Sequence, residues 1–439
     1  MTVQHTMQLD TRYFEKIAAG QKTVEMRLYD EKRQKIKVGD EILFADRTAP
    51  DRTLSARVVA LHRFGDFAAL YRALSPASLG YEETDTPDPA DMEAYYTKKE
   101  QAKYGVVGIE IALKNEQKKE RKTMKVAVCG VWHVHATDYT KEALARGEVL
   151  GFYERDDALA AAFAEKHPVP RFATLEELLA SDAEGVIVCS ASSDHTEDII
   201  RIAEAKKNIF TEKVLALTDE EADRIAEAVE RNGVSLTISL FQKYLGSRLA
   251  VYEIAKSGEL GKINYLRFRN CHSGSIDNWL PAHFYSLAQC GGGAMIDLGA
   301  HGMYLTHWIL GMPVSAKSVF TRACSVAEAN AKNADGVEDN AVTVMQFADG
   351  AVAVNETGFV SHFSPPVFEV FGEDGYVRME GDSVVKCTKA TGGKCVEVEL
   401  PASLPIPIVQ FMEGTPLPGC SVEEARALTH MMVMAYAKN

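Results

Sequence analysis

A doubly wound parallel α/β domain followed by a large, mostly antiparallel sheet, with a small β-rich unit ahead of both, is the architecture predicted for this 439-residue chain. Three observations carry it. From residue 124 to about 240, short β-branched runs alternate with helix-length stretches; beyond 240 the strands lengthen and turn residues separate them; and KNEQKKERKT, residues 114–123, holds no large apolar side chain. That last segment cannot join a core and reads as a solvated linker between residues 1–113 and the rest. A chain of this length exceeds one ordinary core, which agrees with roughly three compact units.

Within 124–240 the apolar run 125–129 leads to a helix over 136–146, then Val149–Tyr153, a helix over 156–166, Val186–Cys189 and a helix from Glu197. Asn208–Phe210, the helix Asp219–Arg231 and Ser235–Ser239 complete the series. Helices between short buried strands require parallel pairing with helices on both faces. Over 241–439 the strands Ile263–Asn270, Ala341–Phe347, Ala351–Thr357 and Val367–Phe371 are joined by turns such as Asp349-Gly350 and Asp374-Gly375, a pattern of antiparallel pairing. A closing helix over Ser421–Ala437 opens on Ser421-Val-Glu-Glu, a capping-box spacing, and is expected to return onto the doubly wound domain.

Charge divides at the linker. Residues 1–122 hold 21 Lys+Arg against 20 Asp+Glu, and 123–439 hold 27 against 42. An acidic main body disfavours nucleic acid and anionic membranes there, although a local basic groove in the first part stays open. All eight cysteines fall after the linker, with no C-x-x-C pair, so no zinc ribbon or thioredoxin motif is expected. Cys129 and Cys189 end apolar runs, as small buried hydrophobes of a reduced compartment do. No charged-then-apolar leader and no long apolar run is present, and a cytoplasmic protein is expected.

A dinucleotide site needs a strand, a glycine turn, a helix N-terminus for the pyrophosphate and an acid some 20 residues on for the ribose. Here the turn is Cys129-Gly130-Val131-Trp132-His133-Val134-His135, with Trp132 and His135 where the second and third glycines belong. Glu154 ends the second strand, 24 residues after Gly130, and favours NAD, while the adjacent Arg155 leaves NADP open. His133-x-His135 after a first strand also fits the metal ligands of a (β/α)₈ hydrolase, but no eight-fold pattern follows and no metal is expected.

Four further motifs stand in order: Ser190-Ala-Ser-Ser-Asp-His195, Phe210-Thr-Glu-Lys213-Val214, Gly291-Gly-Gly-Ala-Met-Ile-Asp297-Leu-Gly-Ala-His301, and Val337-Glu-Asp-Asn340. With them residues 124–439 resemble the glucose-fructose oxidoreductase/inositol dehydrogenase/MocA (Gfo/Idh/MocA) family, whose Glu-Lys-Pro step carries Val214 here in place of proline. The resemblance implies a Rossmann domain, a C-terminal domain for substrate and oligomerisation, NAD(P)-dependent hydride transfer on a sugar, inositol or polyol, and a homo-oligomer. It maps the catalytic residues to Lys213, Asp297 and His301, and the cofactor site to Gly130, Trp132, His133, Glu154, Arg155, Ser190, His195, Glu212 and Lys213. The chemistry suits these types: an unshifted His301 takes the hydroxyl proton, Asp297 on the same helix face orients it, and Lys213 steadies the alkoxide. His272, Asn278, Trp279, His283 and Tyr285 precede the glycine run and supply polar and aromatic groups for a small-molecule substrate. The missing glycines and Val214 also admit a non-catalytic metabolite sensor or scaffold.

Residues 1–113 open with a helix running into Gly20-Gln-Lys22-Thr-Val-Glu25-Met-Arg27 and close on Tyr104-Gly-Val-Val-Gly-Ile-Glu-Ile111. The G-x-K-x-x-E-x-R spacing resembles the ASCH family, a small β-barrel of PUA-like kind. The resemblance implies a site at Lys22, Glu25 and Arg27, with RNA or a nucleotide as partner and Tyr29 or Phe64 for stacking. Some relatives are amidohydrolases with a Thr where this chain has Glu25, a departure that counts against hydrolysis without deciding it.

Overall fold

The computed structural model describes residues 4–81, 87–114, 124–414 and 419–437. The chain divides into two compact units, residues 1–120 and 121–439. The expected linker at 114–123 lies, beyond Lys114, outside the described residues.

In the first unit β1 (Gln4–Leu9), β2 (Val24–Leu28), β3 (Glu41–Asp46), β4 (Thr53–Phe64) and β5 (Val106–Lys114) form a five-stranded half-barrel in the order β1-β3-β4-β5-β2. Only β1 and β3 are parallel. Helix Thr11–Ala18 buries Phe14 and Ile17, one turn apart, against Ile42, Phe44 and Ile109. A second cluster of Val24, Leu28, Phe67 and Leu70 fills the other side.

The second unit begins with β6 (Lys125–Cys129), β7 (Glu148–Tyr153), β8 (Gly185–Val188), β9 (Asn208–Thr211) and β10 (Leu236–Ile238), all parallel in the order β10-β9-β8-β6-β7. This is the expected doubly wound Rossmann sheet. Every residue of β8 is buried, because helices cover both faces. A short helix, Leu175–Ala180, precedes β8; its six residues are too few to show a period in the sequence. Helix Asp219–Asn232 is held by the Thr218–Glu221 capping box and stops at Gly233 in the left-handed region.

The remaining strands are β11 (Ile263–Cys271), β12 (Ser315–Thr321), β13 (Asn340–Gln346), β14 (Val352–Gly358), β15 (Val367–Gly372), β16 (Gly375–Glu380), β17 (Ser383–Thr388) and β18 (Cys395–Glu397). They form one eight-stranded sheet, β12-β13-β14-β11-β15-β16-β17-β18, antiparallel except for β11 beside β14. Helix Ala300–Leu310 packs on its inner face. Closing helix Val422–Tyr436, capped by Ser421 with Glu424, returns to helix Asp219–Asn232, where Arg426 pairs with Asp223 and His430 Nδ1 lies 3.0 Å from Asp219. No helix among the described residues is long and apolar enough to cross a membrane.

Candidate active site

The chain leaves β6 toward β7 on one side and returns to β8 on the other, so the loops after β6 and β8 diverge and leave a crevice at the strand C-termini. They touch at its base: a Cβ on Gly130, whose φ is +80°, would lie 2.4 Å from Ser190 Cα. Gly130 is therefore required by chain packing before any ligand is considered. Glu154 at the end of β7 turns into the same crevice, accepting from Val131 N at 2.7 Å and Asp156 N at 2.9 Å.

Lys213, after β9, reaches across to the second domain and donates from Nζ to Asp297 Oδ1 at 2.6 Å and to the Asp297 carbonyl at 2.9 Å. Burial would raise the Asp297 pKa, but Lys213 above all holds it down at about 2, with His133 and His301 contributing. Asp297 and His301 do not share the ordinary α-helix expected of them. Met295–Gly299 is a π-helical turn, and the α-helix starts only at Ala300. The glycine run makes room for what clamps that turn. Glu338 accepts from Gly293 N and Met295 N, both at 3.0 Å, and from Tyr436 OH at 2.6 Å, while a Cβ on Gly293 would meet the Glu338 carbonyl at 2.0 Å. Glu338 thus explains the Val337-Glu-Asp-Asn340 motif, and Asp339 beside it accepts from Ala323 N and Cys324 N. The sequence marked the motif without revealing this use, because the partners of Glu338 lie 43 or more residues away and those of Asp339 15 or 16.

His301 is buried, with Nδ1 2.9 Å from Tyr304 OH. The expectation that it titrates unshifted is corrected: burial first, then Lys213, pushes it to about 3, so the imidazole is neutral. His133 is held at about 4 by burial. His135 goes the other way, because Glu212, 2.8 Å from its Nδ1, outweighs desolvation. Glu212 also accepts from Tyr139 OH and from Lys213 N, and despite its burial His133, His135 and the Lys213 ammonium hold it well below the usual carboxylate range. Neither His135 nor Tyr139 was assigned a role from the sequence; the first was visible only as half of the His-x-His pair. One ligand atom each of His133, His135 and Glu212 lies within 4.8 Å of the others, a spacing open to a cation. The carboxylate's two oxygens are already engaged by Tyr139, His135 and Lys213 N–H, which is the arrangement of a hydrogen-bonded cluster.

This arrangement, a doubly wound crevice facing a Lys–Asp pair on a glycine-clamped turn, is accompanied by two adjoining family matches. The model for an oxidoreductase family with an NAD-binding Rossmann fold matches residues 124–240, and that for the Gfo/Idh/MocA C-terminal domain matches 249–378, together more than half the chain. The chain belongs to the Gfo/Idh/MocA oxidoreductase family. An ASCH domain model matches residues 7–115, so the fused arrangement expected from the sequence is present. Among curated relatives, the myo-inositol 2-dehydrogenase of Thermotoga maritima is 29% identical over 209 residues, 47% of this chain and 59% of that protein. The 1,5-anhydro-D-fructose reductase of Ensifer adhaerens is 24% identical over 231 residues, 52% of this chain and 67% of that protein. The chain spans about half to two thirds of the length of these curated relatives. A levoglucosan dehydrogenase solved in complex with NADH shares the fold, with TM-score 0.59 and 19% identity over 70% of this chain and 95% of that one.

Trp132, in the place of the second glycine, stacks on Phe284 with ring centroids 5.2 Å apart, meets His283 at 4.6 Å and donates from Nε1 to Gln289 at 3.2 Å. Beside Lys213 and Asp297 it leaves a cavity of only about 20 Å³. Arg155 is turned from the crevice by Asp198, which takes both its terminal nitrogens, with Asp194 at 3.8 Å. His195 takes a different place from the one expected: it is 1% exposed, with Nδ1 2.9 Å from the Val214 carbonyl and Nε2 3.2 Å from the Ser190 carbonyl. It pins the two loops together and touches no open space. The Lys213–Val214 peptide beside it is cis.

Of the expected substrate residues, Tyr285 is 2% exposed and its hydroxyl is taken by Ser275 at 2.7 Å, a packing role. His283 belongs to the Trp132 stack. His272 lies between Phe359 and Trp279, and Trp279 is exposed. Asn278 has a positive φ and gives its carbonyl to Lys332.

In the first unit a separate cavity of about 250 Å³ is lined by Lys22, Glu25, Arg27 and the rings of Tyr13, Tyr71, Tyr81, Tyr95 and Tyr96. Lys22, expected at the site, lines this cavity with its ammonium engaged by the chain itself. It is 3% exposed and donates to Val24 O at 2.7 Å and Leu79 O at 3.2 Å, 3.5 Å from Glu25, and burial lowers its pKa. Arg27 bonds Glu25 at 2.9 Å, Gln8 O at 3.0 Å and Tyr96 OH at 3.2 Å. Tyr29, under Arg63, and Phe64 are not part of this lining.

Proposed function

We propose that residues 124–439 catalyse hydride transfer between NAD and a hydroxyl-bearing carbon of a sugar, inositol or related polyol. The observation that carries this is the Lys213–Asp297 pair spanning the crevice. A buried ammonium positioned by a carboxylate stabilises an oxyanion on a substrate hydroxyl, which is the charge that develops as hydride departs. His301, with a pKa of about 3 here, serves in this reading as the proton acceptor only where bound cofactor and substrate raise it, and NAD supplies the hydride acceptor when bound. Glu154 and the Asp198-bound Arg155 favour NAD over NADP, since a 2′-phosphate would meet a carboxylate and no free guanidinium. The named activities of the inositol and anhydrofructose relatives support the substrate class. The protein is read as cytoplasmic and homo-oligomeric, with the outer face of the eight-stranded sheet, where Val319, Val342 and Val344 are exposed, meeting a second copy.

Titration of the full-length protein with NADH and NADPH, followed by nicotinamide fluorescence, tests the cofactor, and a polyol and sugar screen then tests the reaction. NADH binding with turnover of one such substrate is expected. Binding of neither cofactor favours the second reading, a sensor or scaffold, which rests on Trp132 standing in place of the second glycine and lining the small cavity beside Lys213. For the ASCH unit we infer a nucleotide or an RNA base held among the tyrosines; absence of binding to any nucleoside or tRNA at low salt would remove that reading.

A further inference from the structure

Two of the eight cysteines face each other at the sheet's edge. Cys387 on β17 and Cys395 on β18 are directly opposed in the antiparallel register. Opposed residues of such a pair have Cα atoms about 4.5 to 5.5 Å apart, inside the roughly 4.4 to 6.8 Å range that a disulfide accepts. Both side chains lie on the same face, since Tyr376, opposite Cys387 on β16, reaches past it to place its hydroxyl 3.1 Å from Cys395 Sγ. The thiols meet the solvent unequally, Cys395 being exposed and Cys387 half-buried with Sγ 3.1 Å from the Gly393 carbonyl. Cys129, Cys189, Cys290 and Cys420 are buried instead.

We propose that Cys387 and Cys395 are a redox pair that closes to a cross-strand disulfide. Cys395 attacks a peroxide oxygen first, because it is the accessible thiol: the O–O bond breaks, Cys395 becomes a sulfenic acid and water leaves. Cys387 then attacks the sulfenic sulfur, forming the S–S bond and releasing a second water. Two thiols lose two electrons and two protons, and one peroxide is reduced to two waters. A small-molecule dithiol reverses the step by thiol–disulfide exchange. The connecting turn contains Gly392 and Gly393, both at positive φ, so it absorbs the small strand adjustment that bond formation needs. The consequence is local: β18 has three residues, all exposed, and pairs only with β17, so the bridge converts a strand held by one short ladder into one tied covalently to the sheet.

The test is mild oxidation of the full-length protein with hydrogen peroxide, alkylation of remaining thiols under denaturing conditions, and tryptic mapping. Cleavage after Lys389 and Lys394 separates the two cysteines into different peptides. The expected result is a free-thiol count lower by two, a dithiol-reversible cross-linked species joining the Cys387 and Cys395 peptides, its loss in Cys395→Ser, and its persistence in Cys420→Ser, which removes the other cysteine of the second peptide. Full alkylation of Cys387 after oxidation, oxidation of Cys395 to sulfinic acid with no bridge, or a bridge to another cysteine would overturn the proposal.

Discussion

Lys213 and Asp297 stand 84 residues apart in the chain and 2.6 Å apart in space, and the same ammonium also holds the Asp297 backbone carbonyl at 2.9 Å. One side chain therefore fixes both the carboxylate and the π-helical turn that carries it, and links the Rossmann domain to the C-terminal domain.

On the proposed role, replacing Lys213 by Ala removes the cation at the reacting oxygen, and it leaves the half-buried Asp297 carboxylate without its charge partner. Turnover should fall by about 10²- to 10⁴-fold, the usual scale for loss of an oxyanion-stabilising or proton-handling group. Steady-state kinetics with circular dichroism checks this, and near-normal turnover in a folded variant rejects the role of Lys213.

Trp132 lines the small cavity beside Lys213 and Asp297, so its removal should widen that space. Trp132→Gly restores the second glycine of the fingerprint and should tighten NADH binding about tenfold, measured by fluorescence titration. Weaker binding would mean that the indole is part of the cofactor's bed and no obstacle.

Arg155 is neutralised by Asp198, a carboxylate with no exposed side-chain surface. Asp198→Asn frees the guanidinium and should raise NADPH affinity relative to NADH by about an order of magnitude, whereas Glu154→Gln should weaken NADH first. An unchanged preference in both variants would assign discrimination to other residues.

Buried neutral histidines make the second unit acid-sensitive. Burial is the leading cause that holds His133 at about 4 and His301 at about 3 against an ordinary 6.5. Their folded pKa values are depressed, so the stability they contribute is full above about 6.5 and is lost as pH falls toward 4 and 3. Each contributes a slope of about 1.4 kcal/mol per pH unit in that window. Denaturant unfolding between pH 7 and 4 should show the decline, and His301→Gln should reduce it; identical slopes would contradict the assignment.

Much of the frame was legible because local rules dictated it. The alternation of buried strands and capped helices over 124–240 implies a parallel sheet without any distant contact, and Ser421-Val-Glu-Glu announces its own helix cap. The six-residue helix Leu175–Ala180 and the three-residue β18 were invisible, being shorter than the period that would reveal them. His195, read as lining the cofactor, proved to be a pin between loops, because the carbonyls that hold it belong to residues 190 and 214.

The sequence by itself determined the order of domains, the family of residues 124–439, the ASCH unit ahead of them, and the residue types able to carry a hydride-transfer reaction. Tertiary structure alone decided that Gly293 serves Glu338, that Asp198 silences Arg155, that Trp132 stacks on Phe284 and that the Lys22 ammonium reaches the Leu79 carbonyl. The physical reason is the same in each case. Propensity, capping and hydrophobic period act within about a dozen residues, whereas burial, ion pairing and pKa depend on partners tens to hundreds of residues away that only folding brings within a few ångströms.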